Sequence, residues 1–218
     1  MTTLLAFHGD PEIKTRYLHR VELHAAADEI IHGTYWERGK GCAVGCTVHS
    51  SLHANYETDL GIPRMLAKLE DRLFEGMTNG SAKTFPARFL NAITPGADLS
   101  RVGWQFLHWL LSEELASRDD PRVDQEIKAC ADVLVPLTKG EPCDRNAADL
   151  ARRAARNKAS EMWNAYADAA YAADAAEAAA DAARRANARL ACYQRMAEKL
   201  LQLMENAPLR GYFMRAAA

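Results

Sequence analysis

The feature that most constrains this chain is the segment 145–207, which contains neither glycine nor proline. About half of residues 147–189 are alanine, the strongest helix former because its side chain loses no rotamer entropy on ordering. A single helix of this length would extend about 90 Å at ~1.5 Å per residue. A compact chain of this size is only about 45 Å across. We therefore expect a helical hairpin or pairing with a second chain, and we favour a homo-oligomer because no strong hinge residue interrupts the segment.

Helix start and stop signals recur in the first half of the chain. The Asp10-Pro11 pair combines an N-cap residue with a proline at the first helical position, and it predicts a helix over 11–32. A second helix is predicted from Pro63 to Gly76, where apolar and charged residues fall on opposite faces.

The remaining segments before the alanine-rich run also favour helices joined by loops. Residues 33–45 and 78–84 predict loops, and a short helix follows from Pro86. The segment 99–115 is apolar on nearly every side, which is typical of a buried central helix, and Asp120-Pro121 predicts the start of another.

These patterns together predict an all-α fold, because no segment shows the alternation of a strand next to a hairpin turn. The expected architecture is a helical bundle with a long alanine-rich C-terminal helix or helical hairpin. We expect three parts, namely an N-terminal helical domain, the alanine-rich segment and an apolar tail, at 1–143, 144–207 and 208–218.

Charge and hydropathy narrow the classes of partner. The net charge is −2, so a nucleic-acid partner is not favoured. No run approaches the roughly 18 apolar residues of a membrane span, and the N-terminus lacks the pattern of a signal peptide. We therefore expect a cytoplasmic protein whose five cysteines stay reduced.

The densest group of chemically capable residues is a glycine-rich segment with the spacing C-x3-C-x2-H-x3-H. It contains Cys42, Cys46, His49 and His53, and thiolate and imidazole are the ligands that zinc prefers. The outer two positions would be about 16 Å apart on one helix, too far for a shared ion. A zinc site formed by Cys46, His49 and His53 therefore requires a bend in the chain, or a histidine pair completed by ligands from elsewhere.

The same segment also fits a thiol-dependent or metal-assisted hydrolase. Cys42 or Cys46 would be the nucleophile, because a cysteine that follows glycines at a helix start has a lowered thiol pKa. A nearby histidine would act as base and Glu57 would orient it. The third interpretation is structural, with both cysteines as small packing residues in a turn.

Two other histidine positions are notable. His24, Asp28 and His32 are four residues apart, so a helix over 11–32 would place them on one face, with Asp28 pairing to a histidine. His108 lies within an apolar stretch and is expected to be a hydrogen-bonded core residue.

The C-terminal tail adds a possible contact surface. Tyr212, Phe213 and Met214 form an apolar triplet after Pro208. Such a triplet docks on its own domain or binds a partner, and we treat these three residues as candidate binding residues.

Three stretches carry a resemblance to a known family: YWERGKGCAVGCTVHSSLHANYE, GIPRMLAKLEDRLFEG and the alanine-rich half. They are similar to a family of small bacterial and phage-encoded proteins, and the second half also resembles immunity proteins with long Ala/Arg helices. The resemblance implies a mobile-element context but no particular activity. We therefore expect a non-catalytic protein that binds another protein, such as an inhibitor or immunity-type protein. The alternatives are the Cys/His hydrolase and a virion assembly protein.

Overall fold

The computed structural model describes residues 4–115, 124–170 and 175–210. It confirms the all-α fold: within those ranges the only sheet is a two-stranded one. By internal contacts the chain forms two compact units, the first from Met1–Gly103 with Tyr193–Ala218 and the second from Trp104–Cys192. These boundaries differ from the change in composition, which lies at 143/144.

A short 3-10 turn (Ala6–Gly9) precedes the first α-helix, and a π-helical turn (Leu110–Leu115) follows the sixth. The hairpin consists of β1 (Trp36–Glu37) and β2 (Lys40–Gly41). The helices are α1 (Pro11–Ala26), α2 (Ala43–Val48), α3 (Asn55–Leu60), α4 (Arg64–Gly76), α5 (Asn79–Asn91), α6 (Val102–Trp109), α7 (Asp124–Lys139), α8 (Arg145–Ala170) and α9 (Ala175–Glu205).

The short helix α2 is the centre of the first unit. Every one of its residues is buried, and it packs against α1, α4 and α5. Glycines let the hairpin backbone approach it closely, because a Cβ atom on Gly41 or Gly45 would lie 2.1 or 1.6 Å from the Tyr35 carbonyl oxygen. The glycine-rich segment therefore contains an antiparallel hairpin and a buried helix, and its prediction as a loop over 33–45 was wrong.

Helix α1 is shorter than the predicted helix over 11–32. The Asp10 carboxylate caps it by accepting a hydrogen bond from the Glu12 amide, as expected. The helix stops at Ala26, and Asp28 adopts a left-handed backbone conformation with φ 58°. The chain then pairs with the hairpin, where the Ile31 amide donates to the Gly41 carbonyl at 2.8 Å. Sheet pairing therefore replaces the last turns of the predicted helix.

The second predicted helix is confirmed, since α4 follows Pro63 and ends at Gly76. Its Leu66, Leu73 and Phe74 side chains are almost fully buried, and each contributes roughly 1.5–3 kcal/mol by leaving water. Gly76 has a packing role, because a Cβ atom there would lie within 2.4 Å of three atoms of the Tyr193 ring.

Helix α5 begins before the proline that was expected to start it. Residues 78–84 were predicted to form a loop, but the helix starts at Asn79 and has Pro86 in its interior. Ala82, Phe85 and Phe89 are buried along one face. Burial of this apolar face outweighs the low helix propensity of the polar residues and of the proline.

The apolar segment 99–115 is less buried than its sequence predicts. It forms α6 and the π-helical turn, in which Val102 and Phe106 are buried but most other described residues are half-buried. His108 is half-buried too, so its prediction as a core histidine was wrong. In the second unit, α7 packs against both the π-helical turn and α8.

The alanine-rich segment is helical in its described parts, as α8 and α9. Residues 171–174 between them lie outside the described ranges, and so do the Asp120-Pro121 cap and the tail triplet Tyr212, Phe213 and Met214. The choice between a rod and a hairpin therefore stays a prediction.

The C-terminal end of α9 belongs to the first unit. The Arg88 guanidinium donates two hydrogen bonds to the Glu198 carboxylate, at 2.7 and 2.8 Å. Beyond the helix, the Asp98 amide donates to the Pro208 carbonyl and the Arg210 amide to the Gly96 carbonyl. The chain before α6 and the chain after α9 are therefore joined by backbone hydrogen bonds.

Candidate functional site

The most chemically organised place on the first unit is a chain of hydrogen bonds that starts at a carboxylate. The Glu29 Oε2 atom lies 2.6 Å from His24 Nδ1, and His24 Nε2 lies 2.8 Å from His49 Nε2. His24 comes from the last turn of α1, Glu29 from the segment after it, and His49 from the C-terminal end of α2. Because α1 ends at Ala26, the chain can turn back and bring Glu29 against His24.

Aromatic rings extend this arrangement over the protein surface. The Trp36 ring stacks on the His49 ring with centroids 4.5 Å apart and planes 10° apart. The edge of Trp36 also meets His24 at 5.5 Å, and the neighbouring Tyr35 meets His53 at 5.7 Å. We call these five residues the ring surface: His24, Tyr35, Trp36, His49 and His53.

The backbone at His49 is unusual for a residue with a side chain. His49 ends α2 in the left-handed conformation, with φ 50° and ψ 42°, a region that costs about 1–3 kcal/mol for non-glycine residues. Partial burial lowers the pKa of His49, and the nearby positive charge of Arg20 lowers it further. The Arg20 guanidinium is held close by a 2.9 Å hydrogen bond to the Thr47 carbonyl.

The two cysteines of the glycine-rich segment lie inside the protein rather than at this surface. Cys42 is the N-cap residue of α2 and is 1% exposed. Burial raises the pKa of its thiol, and a hydrogen bond to the Asp71 carboxylate raises it further. The thiol therefore stays protonated at neutral pH, and its environment is the opposite of the one that activates a catalytic cysteine.

Cys46 has a similar environment one turn further along α2. Its Sγ atom lies 3.4 Å from the Gly41 carbonyl oxygen and 3.6 Å from that of Glu29. Burial raises the pKa of the Cys46 thiol to about 12. Both cysteines therefore serve as small packing residues of a buried helix, as the structural interpretation expected.

The other predicted site residues have separate partners. The Glu57 Oε1 atom accepts a hydrogen bond from the Arg64 amide at 2.9 Å, so this carboxylate caps α4. His53 Nε2 lies 3.4 Å from Asp71 Oδ2. Cys46, His49 and His53 thus contact different groups, and within the described ranges no cluster of three or more His, Cys, Asp or Glu side chains is placed to hold a metal ion.

The predicted histidine face of α1 is not formed, because Asp28 and His32 lie beyond the end of the helix. Asp28 forms an ion pair with Lys83 of α5 rather than with a histidine. His32 Nε2 hydrogen-bonds to the Phe74 carbonyl at 3.1 Å. Of the three residues His24, Asp28 and His32, only His24 lies on α1.

One buried carboxyl group lies on α4, next in sequence to the aspartate that contacts His53. Glu70 is fully buried, and its Oε2 atom accepts a 2.7 Å hydrogen bond from the Tyr56 hydroxyl. Burial raises the pKa of Glu70 to about 8. Among the described residues its Oε1 atom has no hydrogen-bond partner, so no donor offsets the cost of charging this oxygen inside the core.

Sequence reasoning identified His24, His49 and His53 but not their partners. Glu29 and Trp36 were missed because the segment from 27 to 41 was divided between a helix and a loop. Spacing along a predicted helix gave no indication that the chain reverses there. The signal from which an aromatic hairpin could have been inferred was the pair Tyr35-Trp36 followed closely by the two turn residues Arg38-Gly39.

No family model matches this chain, and neither the curated proteins nor the solved structures contain a significant match. Across residues 4–115, 124–170 and 175–210, no helix combines the length and the apolar composition needed to cross a membrane.

Proposed function

We propose that this protein acts without catalysis, by binding another protein through the ring surface. The observation that carries the proposal is the row of aromatic and imidazole rings that α1, the hairpin and the end of α2 bring together. Tryptophan and tyrosine are the residues most enriched among those that dominate binding energy at protein interfaces. The ring surface contains both of them, with Trp36 against His49 and Tyr35 against His53.

Exposure of apolar groups beside the rings supports a contact surface. The Tyr35 side chain is 52% exposed, and Leu52, the residue before His53, is 61% exposed. The hydrogen bonds and stacking around Trp36, His24 and His49 hold the rings in place before any partner arrives. Such preorganisation lowers the entropy cost of association.

The environment of the thiols also favours binding over catalysis. Cys42 and Cys46 are buried and have raised pKa values, and Glu57 is engaged as a helix cap. The proposal includes a cytoplasmic setting in phage or mobile-element biology and an inhibitor or immunity-type role. It also includes self-association through the alanine-rich helices, which analytical ultracentrifugation of the full chain tests separately.

The test compares capture of a partner by matched variants of the full chain. Tyr35→Ser and Leu52→Ser alter the ring surface or its edge, whereas Leu209→Ser alters a leucine that is 65% exposed elsewhere on the same unit. All variants are first checked for unchanged thermal unfolding. Each chain is then immobilised in a lysate of cells that carry it, and the captured proteins are identified by mass spectrometry.

We expect one protein to be captured by the original chain and by Leu209→Ser but lost with the ring-surface variants. With that partner purified, loss of a central side chain should weaken binding about fivefold or more, since such residues contribute over ~1 kcal/mol. Equal capture by all variants, or no specific capture by the original chain, would contradict the proposal. If the original chain instead releases a modified small-molecule product when it is incubated with the lysate, that result would favour the hydrolase.

A further inference from the structure

Two of the three histidines of the ring surface, His24 and His49, are placed to do more than form a contact surface. Their Nε2 atoms lie 2.8 Å apart, and each ring is held from another side. Glu29 binds the Nδ1 atom of His24, and Trp36 stacks on His49. His49 is an exposed residue, so solvent and solutes reach the pair.

The Glu29 carboxylate determines which nitrogen of His24 is available. A carboxylate oxygen 2.6 Å from Nδ1 accepts a hydrogen bond from the Nδ1–H group, which fixes the neutral ring with its lone pair on Nε2. A carboxylate on the far nitrogen is the group that orients histidine ligands and raises their basicity at metal sites. The Nε2 lone pair of His24 therefore points toward His49 rather than into the protein.

We propose that His24 and His49 bind one divalent transition-metal ion, such as Zn²⁺, through their Nε2 atoms, with Glu29 as the group that orients His24. Two nitrogens at 2.0–2.1 Å from a tetrahedral ion are about 3.3 Å apart. The rings therefore need to separate by about 0.5 Å from 2.8 Å and to turn so that both Nε2 lone pairs point at the ion. Imidazole suits Zn²⁺, Cu²⁺ and Ni²⁺. Water or a donor from another molecule occupies the remaining positions.

The charges around the pair are consistent with a bound cation of moderate affinity. Glu29 contributes a negative charge next to His24, whereas Arg20 contributes a positive charge near His49. In its neutral form the His49 ring binds an ion through Nε2 when its proton is on Nδ1. Arg20 also repels the ion, which is why Glu29 is expected to matter for binding.

This site differs from the zinc site that the sequence suggested. The partner of His49 is His24, from a different helix, and neither Cys46 nor His53 takes part. The inference does not depend on the proposed function, because it concerns the purified chain and a metal ion alone.

The test is calorimetric titration of the metal-free full chain with Zn²⁺, at pH 7.5. We expect one ion per chain, with binding weakened at least tenfold by His24→Gln or His49→Gln. Glu29→Gln should weaken it by about 10–100-fold, the usual effect of losing a group that orients a ligand. His19→Gln is the matched control, since His19 is an exposed histidine on the same helix, and it should leave binding unchanged.

A second measurement uses tryptophan fluorescence and does not rely on heat. Cu²⁺ bound at His49 lies next to the Trp36 ring, which stacks on it at 4.5 Å, and should quench the emission of that tryptophan. Trp36→Phe should abolish the saturable part of the quenching. Circular dichroism confirms that each variant is folded.

Several outcomes would overturn the proposal. They are the absence of saturable Zn²⁺ binding, undiminished binding by folded His24→Gln and His49→Gln chains, and a loss of binding that follows Cys46→Ser instead. If the two rings form only a hydrogen bond and no metal site, saturable Zn²⁺ binding should be absent. Loss of metal binding without loss of partner capture would leave the proposed function standing.

Discussion

The buried carboxyl group of Glu70 makes the stability of the first unit depend on pH in a defined direction. The group has a pKa of 4.5 in an unfolded chain and of about 8 in the folded protein. Between these values the unfolded chain releases the proton while the folded protein keeps it. Because the folded pKa is the higher one, the contribution of Glu70 to the free energy of unfolding is largest below pH 4.5 and decreases as the pH rises toward 8.

The size of this effect follows from the two pKa values. Each tenfold difference in proton affinity corresponds to about 1.4 kcal/mol, so the full difference would reach roughly 5 kcal/mol. A buried carboxylate is partly relieved by relaxation of its surroundings. Between pH 5 and pH 8, where most but not all of the difference develops, we therefore expect a measured loss of about 2–3.5 kcal/mol.

The variant Glu70→Gln isolates this contribution. An amide has the shape of the carboxyl group and still accepts the hydrogen bond from Tyr56, but it carries no titrating proton. The difference in unfolding free energy between variant and original chain should be small at pH 5 and increasingly favour the variant up to pH 8. Urea denaturation followed by far-UV circular dichroism measures it at each pH.

A control variant tests whether the pH dependence comes from Glu70 itself. Glu22→Gln changes an exposed glutamate of α1 and should give a difference that does not vary with pH. If the difference for Glu70→Gln is also the same at pH 5 and pH 8, Glu70 does not hold a proton in the folded protein. The account of its burial would then be wrong.

Four further predictions concern packing and burial. Gly45→Ala should prevent folding of the first unit or destabilise it by several kcal/mol, about 3 or more, because its Cβ would overlap a backbone carbonyl at 1.6 Å. Gly80→Ala, with nothing within 4 Å of the added Cβ, should instead stabilise by about 0.5–1 kcal/mol, and thermal unfolding compares the two. Phe89→Ala should cost about 3–5 kcal/mol in urea denaturation, since the ring is fully buried. Iodoacetamide labelling with peptide mass spectrometry should modify the half-buried Cys143 well before Cys46, whose thiol is buried and has a raised pKa. Equal labelling rates would contradict the burial of α2.

The sequence predicted the fold class because strong local signals and packing agree in most of the chain. The Asp10 cap, Pro63 and Gly76 each mark a helix boundary that the structure confirms. The alanine-rich residues form helices throughout α8 and α9. In these places side-chain entropy, capping and burial all favour the same conformation.

The failures occur where long-range contacts decide the local structure. The sequence beyond Ala26 continues a helical pattern. The residues are nevertheless held in a non-helical conformation by pairing with the hairpin and by the ion pair between Asp28 and Lys83. The polar residues at the start of α5 were predicted to form a loop, but burial of Phe85 and Phe89 stabilises the helix there. The His24–His49 pair joins two helices far apart in sequence, so spacing along one segment could not predict it.

The backbone hydrogen bonds that join Gly96 and Asp98 to Arg210 and Pro208 have a consequence during synthesis on the ribosome. The first unit is interrupted by the 89 residues of 104–192, so its last helical turns leave the ribosome long after the rest. At about 5–20 residues per second this delay is roughly 5–18 s. Until then, the side chains that α9 covers stay exposed, and a nascent chain arrested before Tyr193 should bind chaperones that the finished protein does not.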